Sequence, residues 1–291
     1  MYDDPGGMTH PEAPQPQVSI VIPSHNYARF LPGCLGSIAR QRMNLGRVEV
    51  LLVDDASSDG SPELARELLA AMPLAASRVL VLPHTGRPGP VRNAGLRLAR
   101  GQALLTLDPD DELLPDFLPR CLEVLATGAD VAYTDYFLEE ADGRHEVRLP
   151  VYHKFLLANQ NILPCTALFK RRLWDLGVRF RSETGYEDWD FWVQLALKRA
   201  RFGHVAMPLF SYRMHGGNYS VHARSDDARS KARIVADNAA FFPSWTQAWA
   251  QGVLAGEAGA NPMERGIIPI LPEHAARSRL VSAGWGLAGG A

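Results

Sequence analysis

What this chain has little of narrows it first. Its 291 residues include only three cysteines, Cys34, Cys121 and Cys165. An odd number at that spacing makes neither a disulfide framework nor a zinc pattern, so a reducing, cytoplasmic setting is expected. The N-terminus lacks a basic stretch followed by an apolar one and does not read as a signal peptide. No apolar run approaches the roughly 18 residues of a membrane span; peripheral contact with a membrane surface stays open. A net charge of −2 gives no electrostatic reason to expect a nucleic-acid partner. The glycine-bearing loop His84–Pro90 is not GxGxxG, and GxxxxGK[ST] does not occur, which argues against dinucleotide and P-loop sites.

What is present describes a globular α/β protein. Apolar residues make up 46% and charged residues 21%, with length enough for one large or two small domains. Residues 1–16, rich in Pro, Gly and Asp, read as a disordered arm. Val18–Ile22, Arg47–Val53, Val79–Leu82 and Gln102–Leu107 read as strands. Helical patterns run through Phe30–Ile38, Pro62–Ala71, from Val91, and over Pro115–Ala126. That alternation predicts a mostly parallel sheet flanked by helices, with ligands beyond the strands' carboxyl ends. After Asp130–Tyr136 the rhythm fades: a hairpin turn at 139–144, an antiparallel return over 147–152, and a strand pair over 205–212. A helix is expected from Tyr186 to about Arg199 and another over 224–242, making a helical extension at 223–260. Residues 261–291 read as a flexible tail.

The chain is organised around Leu104–Asp111, an apolar run that ends in three carboxylates. Asp108 and Asp110 are two apart in an extended segment and project to one side. A hard divalent cation would relieve their repulsion, although a solvated acidic turn would use the same residues. Ser24-His25-Asn26, Asp54-Asp55 and Arg92-Asn93 fall at the same sheet edge, which is the strongest physical sign of a site. Asp54 and Asp55 serve equally as turn caps or as acceptors toward a nucleotide. Arg92, at a helix start beside Gly89, can hold pyrophosphate or pair with a carboxylate. Glu187 and Asp188 open an aromatic-rich helix, where they complement its dipole. A carboxylate near Trp189 and Trp192 can also act as a general base, with the rings offering a face to a sugar. His215, between Met214 and two glycines, is a candidate metal or phosphate ligand.

Six motifs in order carry a resemblance: Val18–Asn26, Val53–Ser61, Arg92–Leu96, Leu107–Asp111, Glu187–Asp190 and Tyr212–Ser220. Over about 17–222 they resemble family 2 glycosyltransferases of the GT-A fold. The resemblance implies an inverting transfer from a nucleotide-diphospho-sugar donor to a carbohydrate, lipid-linked or other hydroxyl acceptor. It implies donor contacts from Pro23, Ser24, Asn26, Asp55, Arg92, Asn93 and Asp108. It makes Asp108 and Asp110 a DxD motif, with Asp110 the more direct ligand of Mn²⁺ or Mg²⁺ and His215 near the metal or diphosphate. Asp188 becomes the general base, with Glu187, Trp189 and Trp192 as acceptor-side candidates. A non-catalytic nucleotide-sugar-binding module is the main alternative. A sugar nucleotidyltransferase fits less well, because Pro23–Asn26 is not a basic glycine-rich loop.

Overall fold

A computed structural model describes residues 15–216, 226–257 and 264–270. The strands β1 (Val18–Ser24), β2 (Val48–Asp54), β3 (Ala76–Val81) and β4 (Ala103–Thr106) are linked by α1 (Leu31–Ala39), α2 (Ser61–Ala70) and α3 (Pro88–Leu98). All seven residues of β1 and of β2 are buried, as strands covered on both faces must be. They pair in parallel, Val18 with Val48 through Ser24 with Asp54. β4 lies on the other side of β1, with Val18 opposite Ala103, so the order is β3-β2-β1-β4. The expected mostly parallel sheet is therefore observed in this half.

Alternation along the strands sorts the core into two layers. Val18, Ile20, Ile22, Val50 and Leu52 pack with α1, α2 and α4 (Phe117–Ala126). Val21, Leu51, Val53 and Leu104 pack with α3 and α7 (Glu187–Leu197). α3 approaches closely because Gly95 has no side chain: a Cβ there would lie 2.4 Å from Val21 Cγ1.

The second half departs from the β-α rhythm. β5 is only Glu112–Leu113, β6 spans Val131–Glu140, β7 Gly143–Val147, β8 Leu168–Lys170 and β9 Phe202–Arg213. The sheet continues β4-β8-β6-β9-β5, with β7 beside β6. β8 is antiparallel to both β4 and β6, which forms the antiparallel portion expected beyond residue 136. The hairpin return is β7, earlier than 147–152. The expected strand pair over 205–212 is one strand, parallel to β6. It is bulged, since Thr134 faces Val205 but Asp135 faces Pro208; proline offers no N–H to the ladder.

Short helices α5 (Lys154–Asn159) and α6 (Arg171–Asp175) flank β8. The single helix expected over 224–242 is α8 (Asp227–Asp237) followed by a 3₁₀ turn at Ala239–Phe241, and then α9 (Ser244–Ala255) adds a further helix. The tail expectation needs correction over 264–270. Ile268 and Ile270 are buried, and the Thr246 hydroxyl donates to Pro269 O at 2.7 Å. The apolar run Ile267–Ile270 anchors a segment whose neighbours are mostly Ala, Gly and Pro. At the other end, Pro16 of the expected arm is buried and its carbonyl accepts from Gln102 N–H at 3.1 Å. Residues 1–14, 217–225 (with the end of the last motif), 258–263 and 271–291 lie outside the described residues.

Candidate active site

The loops after β1, β2 and β3 are tied by backbone-directed side chains. Asp54 caps its own turn, accepting from Ser57 N–H at 2.8 Å and from the Ser57 hydroxyl at 2.5 Å. Asp55 turns the other way. Its two oxygens accept the N–H groups of Thr85 at 2.6 Å and Gly86 at 2.9 Å, with Gly86 at φ +68° where glycine is favoured. His25 Nδ1 and His84 Nδ1 lie 2.7 and 3.1 Å from the Asp55 carbonyl oxygen. A carbonyl only accepts, so both rings carry their proton on Nδ1. Asn26, at φ +60°, is exposed. Its Oδ1 accepts from Ser58 N–H at 2.8 Å, so it links the loops instead of lining the cavity. Asn93 likewise serves the backbone: it donates to Phe180 O at 2.7 Å and accepts from Phe180 N–H at 3.0 Å.

Arg92 reaches from α3 into the centre of the site and is buried. Its guanidinium donates to Asp108 Oδ1 at 2.6 Å and to Glu187 Oε1. Two carboxylates therefore take the donors that a pyrophosphate was expected to meet. Glu187 is correspondingly turned to Arg92 as a buried partner at the cavity wall. Burial pushes Glu187 up to about 7 against the pull of Arg92.

β5 explains how His215 arrives at the acidic turn. Glu112 and Leu113 pair antiparallel with Ser211 and Phe210, and Asp111 Oδ1 accepts from Arg213 N–H at 3.1 Å. His215 Nε2 then lies 2.9 Å from Asp110 Oδ2. Burial, then the charge of Asp108, raise Asp110 to about 6, so negative charge is held there against its tendency. Two carboxylates and an imidazole are a donor set that fits a divalent cation. Asp108 faces Arg92, however, and the three ligand atoms do not all converge within 4.8 Å. Among the described residues the groups that do are His25–Asp55–His84 and Glu140–Asp142–His145.

α7 presents its first turn to the cavity. Asp188 is half-buried; its Oδ1 accepts from Trp189 N–H at 2.8 Å and its Oδ2 from Asn161 Nδ2 at 2.9 Å. Burial raises its pKa above the usual aspartate value. Asp190 faces away and is enclosed by Arg181 at 3.1 Å, Gln194 at 2.7 Å and Asn238 at 2.6 Å. Trp189 and Trp192 are both 0% exposed. This corrects their reading as a sugar platform, since α7 is buried nearly all round and its rings fill the core between sheet and C-terminal helices.

One cavity of about 730 Å³ collects Pro23, Ser24, Asp55, Arg92, Asp108, Asp110 and Asp188. Ser24 Oγ and Arg92 Nε are buried there without a protein partner, which marks polar positions that a ligand can complete. The cavity also takes His25, His84, Arg87, Asn161, Cys165 and Tyr186, to which the sequence assigned no role. Only the two histidines, at strand ends, carried a positional signal.

A family model described as "Glycosyl transferase family 2" matches residues 19–187, more than half of the chain. This chain belongs to that family. Among curated members it is 36% identical over 130 residues to the succinoglycan biosynthesis protein ExoO of Rhizobium meliloti, covering 44% of this chain and 36% of that protein. It is 28% identical over 227 residues to chondroitin synthase of Escherichia coli, covering 76% and 32%. The chain thus spans about a third of the length of each. Its fold is the GT-A fold. TarS of S. aureus, solved in complex with UDP-GlcNAc, superposes with a TM-score of 0.64 at 20% identity, covering 77% of this chain and 69% of that one. The mannosyltransferase PcManGT of Pyrobaculum calidifontis, in complex with GDP-Man and Mn²⁺, superposes at 0.60 with 19% identity, covering 87% and 78%. No helix among the described residues is long and apolar enough to cross a membrane.

Proposed function

We propose that this chain is an inverting glycosyltransferase that moves a sugar from a nucleotide-diphosphate donor to the hydroxyl of a carbohydrate, lipid-linked or other acceptor. The observation that carries the reading is that Asp188 opens into the same cavity as Ser24, Asp55, Asp108 and Asp110. Family membership and two neighbours holding nucleotide-diphospho-sugars support the donor class. Three free thiols, two of them buried, support a cytoplasmic setting.

The nucleoside end lies against Ser24 and the Asp55 loop, and the diphosphate toward Asp108, Asp110 and His215. Asp108 and Asp110, with His215 beside them, would hold a divalent cation, which would supply positive charge at the leaving diphosphate. Asp188 takes the proton of the acceptor hydroxyl as its oxygen attacks the anomeric carbon, and a single displacement inverts that centre. Arg92 spans Asp108 and Glu187 and so sets the spacing between the donor side and the helix bearing Asp188. Raised above the usual aspartate value, Asp188 is a stronger base than an exposed aspartate once deprotonated. A panel of nucleotide sugars, scored by nucleotide diphosphate release with Mn²⁺ or Mg²⁺, tests the proposal. Turnover that is lost in Asp188→Asn while donor binding persists supports it. Binding without turnover in the wild type would identify a binding module.

A further inference from the structure

We propose that Asn161 is the positioning residue for Asp188, and that the C-terminal segment 264–270 holds Asn161 and Asp188 in register. The proposal rests on the reading of Asp188 as base. The Asn161 amide has one orientation available. Its Oδ1 accepts from Leu163 N–H at 3.4 Å, so Nδ2 is the group that faces Asp188 Oδ2 at 2.9 Å. Trp189 N–H already occupies Oδ1. The carboxylate is thereby fixed at both oxygens, and each keeps a lone pair for an incoming hydroxyl.

Both supports of this pair lead to the same segment. Two residues before Asn161, the Asn159 carbonyl accepts from Ile268 N–H at 2.7 Å and its Nδ2 donates to Ile268 O at 2.8 Å. Two residues before Asp188, the Tyr186 hydroxyl donates to Asp227 Oδ1 at 2.6 Å, and that oxygen also accepts from Gly266 N–H at 2.9 Å. Residues 264–270 thus grip the α5 loop directly and the α7 start through Asp227. The charged and titratable groups around Asp188 are Arg92 from α3, Asp108 from the end of β4, Cys165 from the loop before β8, and Glu187 from its own helix. Asn161 is the neutral donor among them. It favours the ionised carboxylate and fixes its direction, which a packing role would not do.

The test titrates the aspartate carboxyl carbons of the full chain by ¹³C NMR, with the Asp188 signal assigned by its loss in Asp188→Asn. Asn161→Leu removes the donor and is expected to raise the Asp188 midpoint by about half to one pH unit, roughly a three- to tenfold change in proton affinity. Asn161→Asp keeps the size and adds a like charge, so its upward shift is larger. Should Asn161→Leu fail to fold, the isosteric variant carries the test. Release of UDP from UDP-GlcNAc, or of GDP from GDP-mannose, with Mn²⁺ and water as acceptor, is expected to show a lower kcat with an unchanged donor KM. A midpoint that stays at the wild-type value in both variants overturns the proposal. If Asp188→Asn keeps full turnover, the base is misassigned, and the titration still reports on Asn161 separately.

Discussion

Asp188 and Asp190 stand two residues apart in one turn, yet their surroundings give them different work. Asp188 opens to the cavity, so Asp188→Asn is expected to reduce transfer by a factor on the order of 10²–10⁴ while donor binding stays nearly intact. Asp190 is enclosed by Arg181, Gln194 and Asn238, and burial lifts it to about 6. Its protonated form is therefore favoured in the folded state. That contribution is fully present below the ordinary aspartate value and is lost as pH rises through about 6. The stability of the wild type relative to Asp190→Asn should fall by roughly 3 kcal/mol across that window, measured by urea unfolding at a series of pH values. Asp55 presents a third case, because its carboxylate holds Thr85 and Gly86 while lining the cavity. Asp55→Ala should weaken nucleotide-sugar binding by about 1–3 kcal/mol, read by calorimetry; an unchanged affinity would leave it a loop anchor alone. Asp110→Ala should abolish donor turnover with the fold intact, and full activity of the wild type in EDTA would remove the metal reading. The tryptophans belong to a different ledger, since Trp192→Ala should lower stability by about 3–5 kcal/mol with any effect on acceptor KM following from that loss.

Elements differ in how openly their sequences announce them. β1, β2 and β4 are contiguous apolar runs bounded by turn residues, and the helices between them have apolar stripes; each could be read alone. β5 has two residues and no pattern, and it exists because β9 pairs with it. β9 looked like two strands because Pro208 interrupts the ladder at the bulge. The acidic turn Asp108–Asp111 was legible for the same reason as β4, as an abrupt change from apolar to acidic at a strand end. Asn161 was not, because a loop asparagine acquires meaning only from what folds against it. The burial of Trp189 and Trp192 was hidden too, since helical spacing does not say how many neighbours surround a helix. Two elements invite direct tests. Gly95 lets α3 lie on β1, so Gly95→Ala should cost about 1–3 kcal/mol through overpacking, seen as a lowered unfolding midpoint. Ending the chain after residue 263 removes the segment that binds Asn159, Asp227 and the Lys231 ammonium, which donates to Glu264 O at 2.8 Å. Turnover should then fall more than donor affinity does.

At the scale of the molecule, the proposed nucleoside end and the proposed acceptor end are built from different parts of the chain. β1 to β4 with their loops supply Ser24, Asp55, Arg92 and the acidic turn within the first 111 residues. The chain after residue 130 supplies Asn161 after α5, the proposed base Asp188 on α7, and His215 after β9. The join between Glu112 and Ser211 spans about a hundred residues of intervening chain. Closing a loop of that length opposes folding by ~4 kcal/mol of chain entropy, which the long parallel contact of β6 with β9 helps to offset. The order of assembly follows. On the ribosome, the first four strands can condense while β9 is still unmade, giving a half-built sheet whose β4 edge awaits β8 and whose Asp110 awaits His215. The Asp110–His215 contact can form only after β9 is made, and a chain interrupted before residue 202 is left with acidic groups crowded at an open edge.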